Sequence, residues 1–231
     1  MITPLSAKQL QGLQRHDTCT VSNAIETFQV RLRNEGFADA SIRCLTRRST
    51  PLVGYAVTVR IRSTNPPKDG HPYVERTNWW DCFQGLPSPR IVVIQDLDEH
   101  PGTGSFMGEV HAGILLALGC AGVITNGAVR DLPALEKSDL QIFAGSVAVS
   151  HAYSHIVDMG QPVELGGLTI SPGDLLHADV HGVLSVPHEI AADVASVADA
   201  IIERERRVLA LCQSPNFSLD ELRDAVKGIF H

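Results

Sequence analysis

The sequence lacks most of the patterns that assign a function on sight. It has no C-x-x-C pair, no G-x-G-x-x-G or G-x-x-x-x-G-K-[ST] loop, no H-E-x-x-H and no G-x-S-x-G. It therefore offers no warrant for a cysteine-based zinc site, a dinucleotide, a nucleoside triphosphate, a zinc-protease helix or a serine-hydrolase elbow. Positive charge is also short: 19 Lys and Arg against 26 Asp and Glu leave a formal charge of −7. A phosphate-binding face needs the opposite balance, so nucleic acid is not the expected partner. Five scattered cysteines, an odd number, fit reduced thiols better than a disulfide framework. No apolar run reaches the length of a membrane span or a secretory leader, so a soluble, cytoplasmic protein with no membrane partner is expected.

What is present is an ordinary globular balance, 44% hydrophobic and 19% charged over 231 residues, with no low-complexity tract, linker or repeat. The start reads as two helices, with Thr20 or Ser22 placed to cap the second. "PLVGYAVTVRIRS" alternates as a strand, and "IVVIQDLD" is a buried strand ending on acids. Between them a Pro- and Gly-marked loop leads to a short helix around Trp79 and Trp80, which either pack in the core or line a pocket. A helix over about Glu109–Leu118 stops at Gly119, and "AGVIT" follows as a buried strand. "DLPALEKS" starts another helix and "QIFAGSVAV" another strand. "VELGGLTISPGDLLHADVHGVLSVP" reads as a pair of strands. The chain turns helical from Pro187 to about Cys212, and a last helix follows Ser218. Strands and helices do not alternate regularly, which argues against a plain doubly wound sheet. The expected organisation is one α/β domain over 1–212 with a helical extension over 213–231.

One stretch concentrates chemistry. "GEVHAGILLALGCAGVITNGAVRD", Gly108 to Asp131, reads as a helix, a buried strand and a tight turn at Asn126-Gly127 that ends on charge. Two readings compete for Arg130 and Asp131. In the structural one, Asp131 caps the next helix and Arg130 pairs with a nearby acid. In the functional one, the pair lies where ligands collect, at the carboxyl end of a buried strand. There a guanidinium grips a carboxylate with two prongs and a carboxylate holds a hard divalent cation.

Glu109, twenty intervening residues and Arg130-Asp131 resemble the signature of the class II pyruvate aldolases, which act on 4-hydroxy-4-methyl-2-oxoglutarate and 4-carboxy-4-hydroxy-2-oxoadipate. "DTCTVSNAI", "GYAVTV" and "PGDLLHADVHGVLSVP" extend the likeness over roughly residues 5 to 210. These aldolases share the fold of the regulator of ribonuclease activity A. The resemblance implies a β/β/α layered sandwich of the swivelling-domain kind, whose C-terminal helix serves assembly into a homotrimer or a dimer of trimers. It implies Mg2+ or Mn2+ on Asp131, held largely through waters, one of which Glu109 orients. Arg130 would contact the ketone oxygen, and the α-carboxylate would sit at Gly108 on the amides of Val110 and His111. Cleavage next to a 2-oxo acid makes a pyruvate enolate, which a cation and a guanidinium stabilise. The expected enzyme cleaves a 4-hydroxy-2-oxo acid to pyruvate and a carbonyl compound, and decarboxylates oxaloacetate through the same enolate.

The match is not complete. His111 stands where the family usually has an apolar residue, and His181 replaces an expected aspartate while Asp179 is kept. On the last long helix the apolar stripe Ile190, Val194, Val197, Ile201, Val208, Cys212 is interrupted at Arg204-Glu205. Either Glu205 pairs with Arg204, Arg206 or Arg207, or, as the resemblance implies, it reaches a neighbouring subunit's metal site, with Glu203 the fallback. Two rivals stay open: a zinc site using His151/His155 or His177/His181, and a non-catalytic protein-binding regulator.

Overall fold

The computed structural model describes residues 3–46, 48–68 and 78–227. Helices α1 (Ala7–Gln14) and α2 (Thr18–Glu26) open the chain. They are followed by β1 (Arg43–Cys44), β2 (Leu52–Arg62), a short 3-10 helix (Asn78–Phe83), β3 (Arg90–Asp96), β4 (Ser105–Met107) and α3 (Glu109–Ala117). Then come β5 (Cys120–Val129), α4 (Leu132–Leu135), β6 (Gln141–Val147), β7 (His155–Met159), β8 (Val163–Leu165) and β9 (Leu168–Ile170). β10 (Leu175–Asp179), β11 (Gly182–Val186), α5 (Val194–Cys212) and α6 (Leu219–Lys227) complete it.

Strand β2 explains the layering. Its side chains alternate between faces, and nearly all are buried, which marks a central strand covered on both sides. Val53 and Tyr55 face α1, α2 and α5. Val57, Val59 and Ile61, on the same face, pack with α3 and the 3-10 helix. Leu52 and Ala56 point the other way, into a cluster closed by the β8–β9 hairpin and Phe143 of β6. The result is hairpin, sheet and helices in three layers, the β/β/α arrangement expected. The sheet runs β1-β6-β5-β3-β2-β10-β11, with β4 added to β5 and β7 to β2. Strands β2, β3, β5 and β6 are parallel, so their carboxyl ends share one end of the sheet.

Several local expectations are corrected. Asn126-Gly127 is not a turn: β5 continues through both residues to Val129. The pair instead forms a bulge against β6. The segment over 163–186 holds four strands rather than two, and α5 begins at Val194, after turns over 187–193. Trp79 is a core residue, 1% exposed, packed on Phe83 and Phe106, and does not line a pocket. Its neighbour Trp80 is half-buried against the same cluster. Residues 69–77 of the aromatic loop lie outside the described residues.

Candidate functional site

The site is built where β4 and β5 deliver the chain to two helix starts. Arg130 follows β5, and its N–H donates to the Met107 carbonyl at 2.9 Å, which ties the end of β5 to the end of β4. Met107 leads into Gly108, the residue before α3, which offers no side-chain cap to that helix. A Cβ on Gly108 would lie 2.5 Å from Asp131 Oδ2 and 3.2 Å from Arg130 Nε. A side chain at this position would therefore displace the Asp131 carboxylate. Two stretches some twenty residues apart, Gly108-Glu109 and Arg130-Asp131, meet at one point.

Asp131 does not cap α4, against the structural reading of that residue. It sits in the left-handed region (φ 60°, ψ 36°) with no side-chain cap bond. Aspartate tolerates that region better than most residues, but it still costs stability, of order 1 kcal/mol. The conformation turns the carboxylate across to α3, where Oδ2 accepts the Glu109 N–H at 3.1 Å. Arg130 Nε stands 3.6 Å from the same oxygen, and both side chains are more than a third exposed. An ion pair that open contributes little to folding. Glu109 and Val110 are exposed at the start of α3, and His111 is half-buried with its ring 5.0 Å from Phe106. The first N–H groups of a helix have no partner within it. A helix start of this kind, here beside Arg130, suits an anion.

Acids at the end of β3 shape the adjoining loop. Asp96, buried, accepts N–H bonds from Gly102 and Asp98 and the Ser63 hydroxyl. Burial outweighs those bonds and pushes its carboxyl up. Asp98 is also pushed up by burial, but the Ser63 and Thr64 donors win and hold it down at about 2. Both are structural acids that bend the chain toward β4; the run "QDLD" carried that signal only as a strand end.

The histidine pairs do not converge. His177 is fully buried: Nε2–H donates to the Leu13 carbonyl at 3.2 Å, which leaves Nδ1 to accept from the Thr18 hydroxyl at 3.0 Å. His181 instead lies on Asp179, Nδ1 to Oδ1 at 3.0 Å. His151 and His155 each bond a nearby carbonyl, of Ala152 and Tyr153. Among the described residues no three His, Cys, Asp or Glu side chains are placed to hold a metal, which removes the zinc reading there. Cys120 is buried and its thiol pushed up to about 12, the opposite of an activated nucleophile.

The family model described as RraA-like, Aldolase/RraA, matches residues 18–185, well over half the chain. The chain belongs to that family. A protein of Halalkalibacterium halodurans named "Putative 4-hydroxy-4-methyl-2-oxoglutarate aldolase" is 32% identical over 101 residues, 43% of this chain and 48% of that protein. Protein DlpA of Legionella pneumophila is 24% identical over 217 residues, 93% of this chain but 33% of its own length. The chain thus spans a third to about half of these curated relatives. Two solved structures share the fold. An uncharacterized protein of Pseudomonas syringae superposes with a TM-score of 0.74 at 24% identity, over 96% of both chains. Streptomyces coelicolor RraAS2, described as an unusual member of the RNase ES inhibitor RraA family, gives 0.69 at 18% identity, over 88% of this chain and 97% of that one.

Within the family frame, Gly108, Glu109, Val110, His111, Arg130 and Asp131 are brought together, and Glu205 is not among them. Helix α5 packs on α1, α2 and α6, none of which carries a residue of the cluster. Glu203, rather than Glu205, pairs with Arg206 and Arg207. Glu205 is half-buried on α5. No helix among the described residues is long and apolar enough to cross a membrane.

Proposed function

We propose that this protein is a divalent-metal-dependent lyase that cleaves a 4-hydroxy-2-oxo acid to pyruvate and a carbonyl compound. Oxaloacetate decarboxylation would run through the same enolate. The observation that carries the reading is Asp131: an exposed carboxylate held in a costly backbone conformation, turned away from its own helix and toward an open helix start. Family membership and the aldolase name of the Halalkalibacterium relative point the same way.

The donor set fits a hard, hydrated cation. Asp131 Oδ2 is shared with the Glu109 N–H, and Oδ1 takes no hydrogen bond among the described residues. One carboxylate with open space around it suits Mg2+ or Mn2+, which keep several waters, and not a cage of soft ligands. When bound, the cation supplies positive charge against the oxygen that becomes the enolate. The chain's own groups do the rest. The amides of Val110 and His111 bind the α-carboxylate, and Arg130 donates to the ketone oxygen as its charge develops. The bond between C3 and C4 breaks, its electron pair enters the enolate, the C4 hydroxyl gives up its proton to a base, and a proton returns to C3. Glu109, exposed beside the amides, orients the water that carries that proton.

Glu205 would complete the site from a neighbouring subunit of a homotrimer or dimer of trimers. Its half-burial on a helix remote from its own chain's cluster, and the exposed Leu209, Phe217 and Leu219 nearby in sequence, support that placement. A second reading, a protein-binding regulator, draws on the fold shared with RraAS2 and on the exposed Val147, Val149 and Tyr153. A panel of 2-oxo acids separates the two. Pyruvate release with Mg2+ that stops in excess chelator is expected of the lyase, and a regulator releases none. Mixing Asp131→Ala and Glu205→Ala subunits should restore part of the activity each lacks; failure with assembly confirmed by sedimentation would remove Glu205 from the site.

A further inference from the structure

The bulge in β5 lies four residues before Arg130, and its geometry has a consequence for the site. From Thr125 to Ala128 the strand advances three residues (128 − 125) while its partner β6 advances two, from Ala144 to Ser146 (146 − 144). One residue of β5 is therefore extra. Side chains alternate along a strand, so a one-residue slip moves every later side chain to the opposite face. With the bulge, Arg130 and Asp131 leave the sheet against Gly108 and the start of α3. Without it, the same sequence would turn them the other way.

A bulge forfeits ladder bonds, and those on the β3 side are replaced by one side chain. Asn126 Oδ1 accepts the Asp96 N–H at 2.7 Å, and Asn126 Nδ2 donates to the Asp96 carbonyl at 3.0 Å. The carboxamide thus stands in for a peptide group, one donor and one acceptor, on the final residue of β3. Both flanks are cut to fit. A Cβ on Gly127 would lie 3.2 Å from Asp96 Cβ, and one on Gly145 of β6 would strike the Asn126 carbonyl oxygen. Gly127 N–H donates to Thr125 Oγ1 at 3.0 Å, which closes the bulge from below.

We infer that Asn126 is a positioning residue of the site: its carboxamide clamps the extra residue of β5 to Asp96 and so sets the face on which Arg130 and Asp131 emerge. Asn126 acts only through Arg130 and Asp131, and its importance for turnover rests on the lyase reading. Its importance for geometry does not.

The test compares Asn126→Ala with the parent by three measurements: thermal midpoint, steady-state pyruvate release, and the Arg130 Nε–H resonance in 15N-arginine-labelled protein, assigned by its absence in Arg130→Lys. A folded Asn126→Ala with kcat reduced about 10²-fold, KM within about threefold and a displaced Arg130 resonance is the expected result, because a displacement near 1 Å costs on that order. A folded variant with the parent's kcat and an unmoved resonance would overturn the inference, whatever its midpoint, since a role in stability alone shifts only the midpoint. Should Asn126→Ala not fold, Asn126→Asp is read by the same criteria. It keeps the acceptor for the Asp96 N–H and loses the donor to the Asp96 carbonyl, so the resonance should still move. If the parent turns over no 2-oxo acid at all, the lyase reading fails while the resonance still decides the clamp.

Discussion

Two helix starts in this molecule each have an aspartate beside them and are treated in opposite ways. At α2, Asp17 accepts the Thr20 N–H at 2.7 Å, and Asp179 accepts the Thr18 N–H at 2.8 Å. Behind them His177 is sealed between Thr18 and Leu13. At α3 the capping position is Gly108, and the nearby carboxylate, Asp131, takes the Glu109 N–H and no other among the described residues. The first end is satisfied by the protein itself and joins α1 and α2 to β10. The second has no side-chain cap and lies beside a guanidinium and an exposed glutamate. A helix start closed by its own chain is a joint; one held open by a glycine is suited to receive an anion from outside.

The largest effect should come from the open end. Arg130→Ala should lower pyruvate release by about 10²–10³-fold, and Arg130→Lys should not rescue it, because lysine keeps the charge but loses the planar fork. Neither change should move the thermal midpoint appreciably, since the Arg130–Asp131 pair is largely exposed. A lysine variant within a few-fold of the parent would make Arg130 a general electrostatic residue and blur the contrast.

Gly108→Ser attacks the contrast directly. If α3 merely lacked a cap, serine would add one and stabilise the protein slightly, by roughly a few tenths of a kcal/mol. The Cβ contact with Asp131 Oδ2 predicts instead a loss of activity of about 10²-fold, with no gain in midpoint. Steady-state rates beside a melting curve decide it.

Asp17→Ala at the closed end should do the reverse. It removes a formed cap, costs about 1 kcal/mol in denaturant unfolding, and leaves kcat unchanged. A change in kcat would mean that the two ends communicate.

The smallest effect is a pH dependence. Burial holds His177 below its ordinary 6.5, against the opposing pull of the Leu13 carbonyl and Asp179. The unfolded chain then binds a proton that the folded one refuses, so this contribution is fully present above about pH 6.5 and is lost as pH falls below it. Midpoints measured from pH 7.5 down to 5.5 should fall less steeply in His177→Gln than in the parent.

Much of the open end was legible in the sequence. The helix starting at Glu109 and the start of the buried strand after it depend on local periodicity, and both are where the pattern put them, though the strand runs on to Val129. The α/β class followed in the same way, from buried runs interleaved with amphipathic ones, while the layered arrangement came from the family resemblance. What the sequence hid were positions whose meaning depends on a distant partner. Asn-Gly is a turn signal as long as the asparagine has only its own backbone to bond. Asp96, thirty residues away, supplies another partner, and the strand runs on. An aspartate before Leu-Pro looks like a cap until the neighbouring helix offers its carboxylate a different N–H. Trp79 could pack in the core or line a pocket, and Phe83 and Phe106, which enclose it, decide for the core. The sequence by itself determined the elements on which Glu109, Arg130 and Asp131 stand, because hydrophobic period and residue type act locally. Only the tertiary structure decided which way Arg130 and Asp131 face, because that rests on one extra residue in β5, held by a contact that no local pattern encodes.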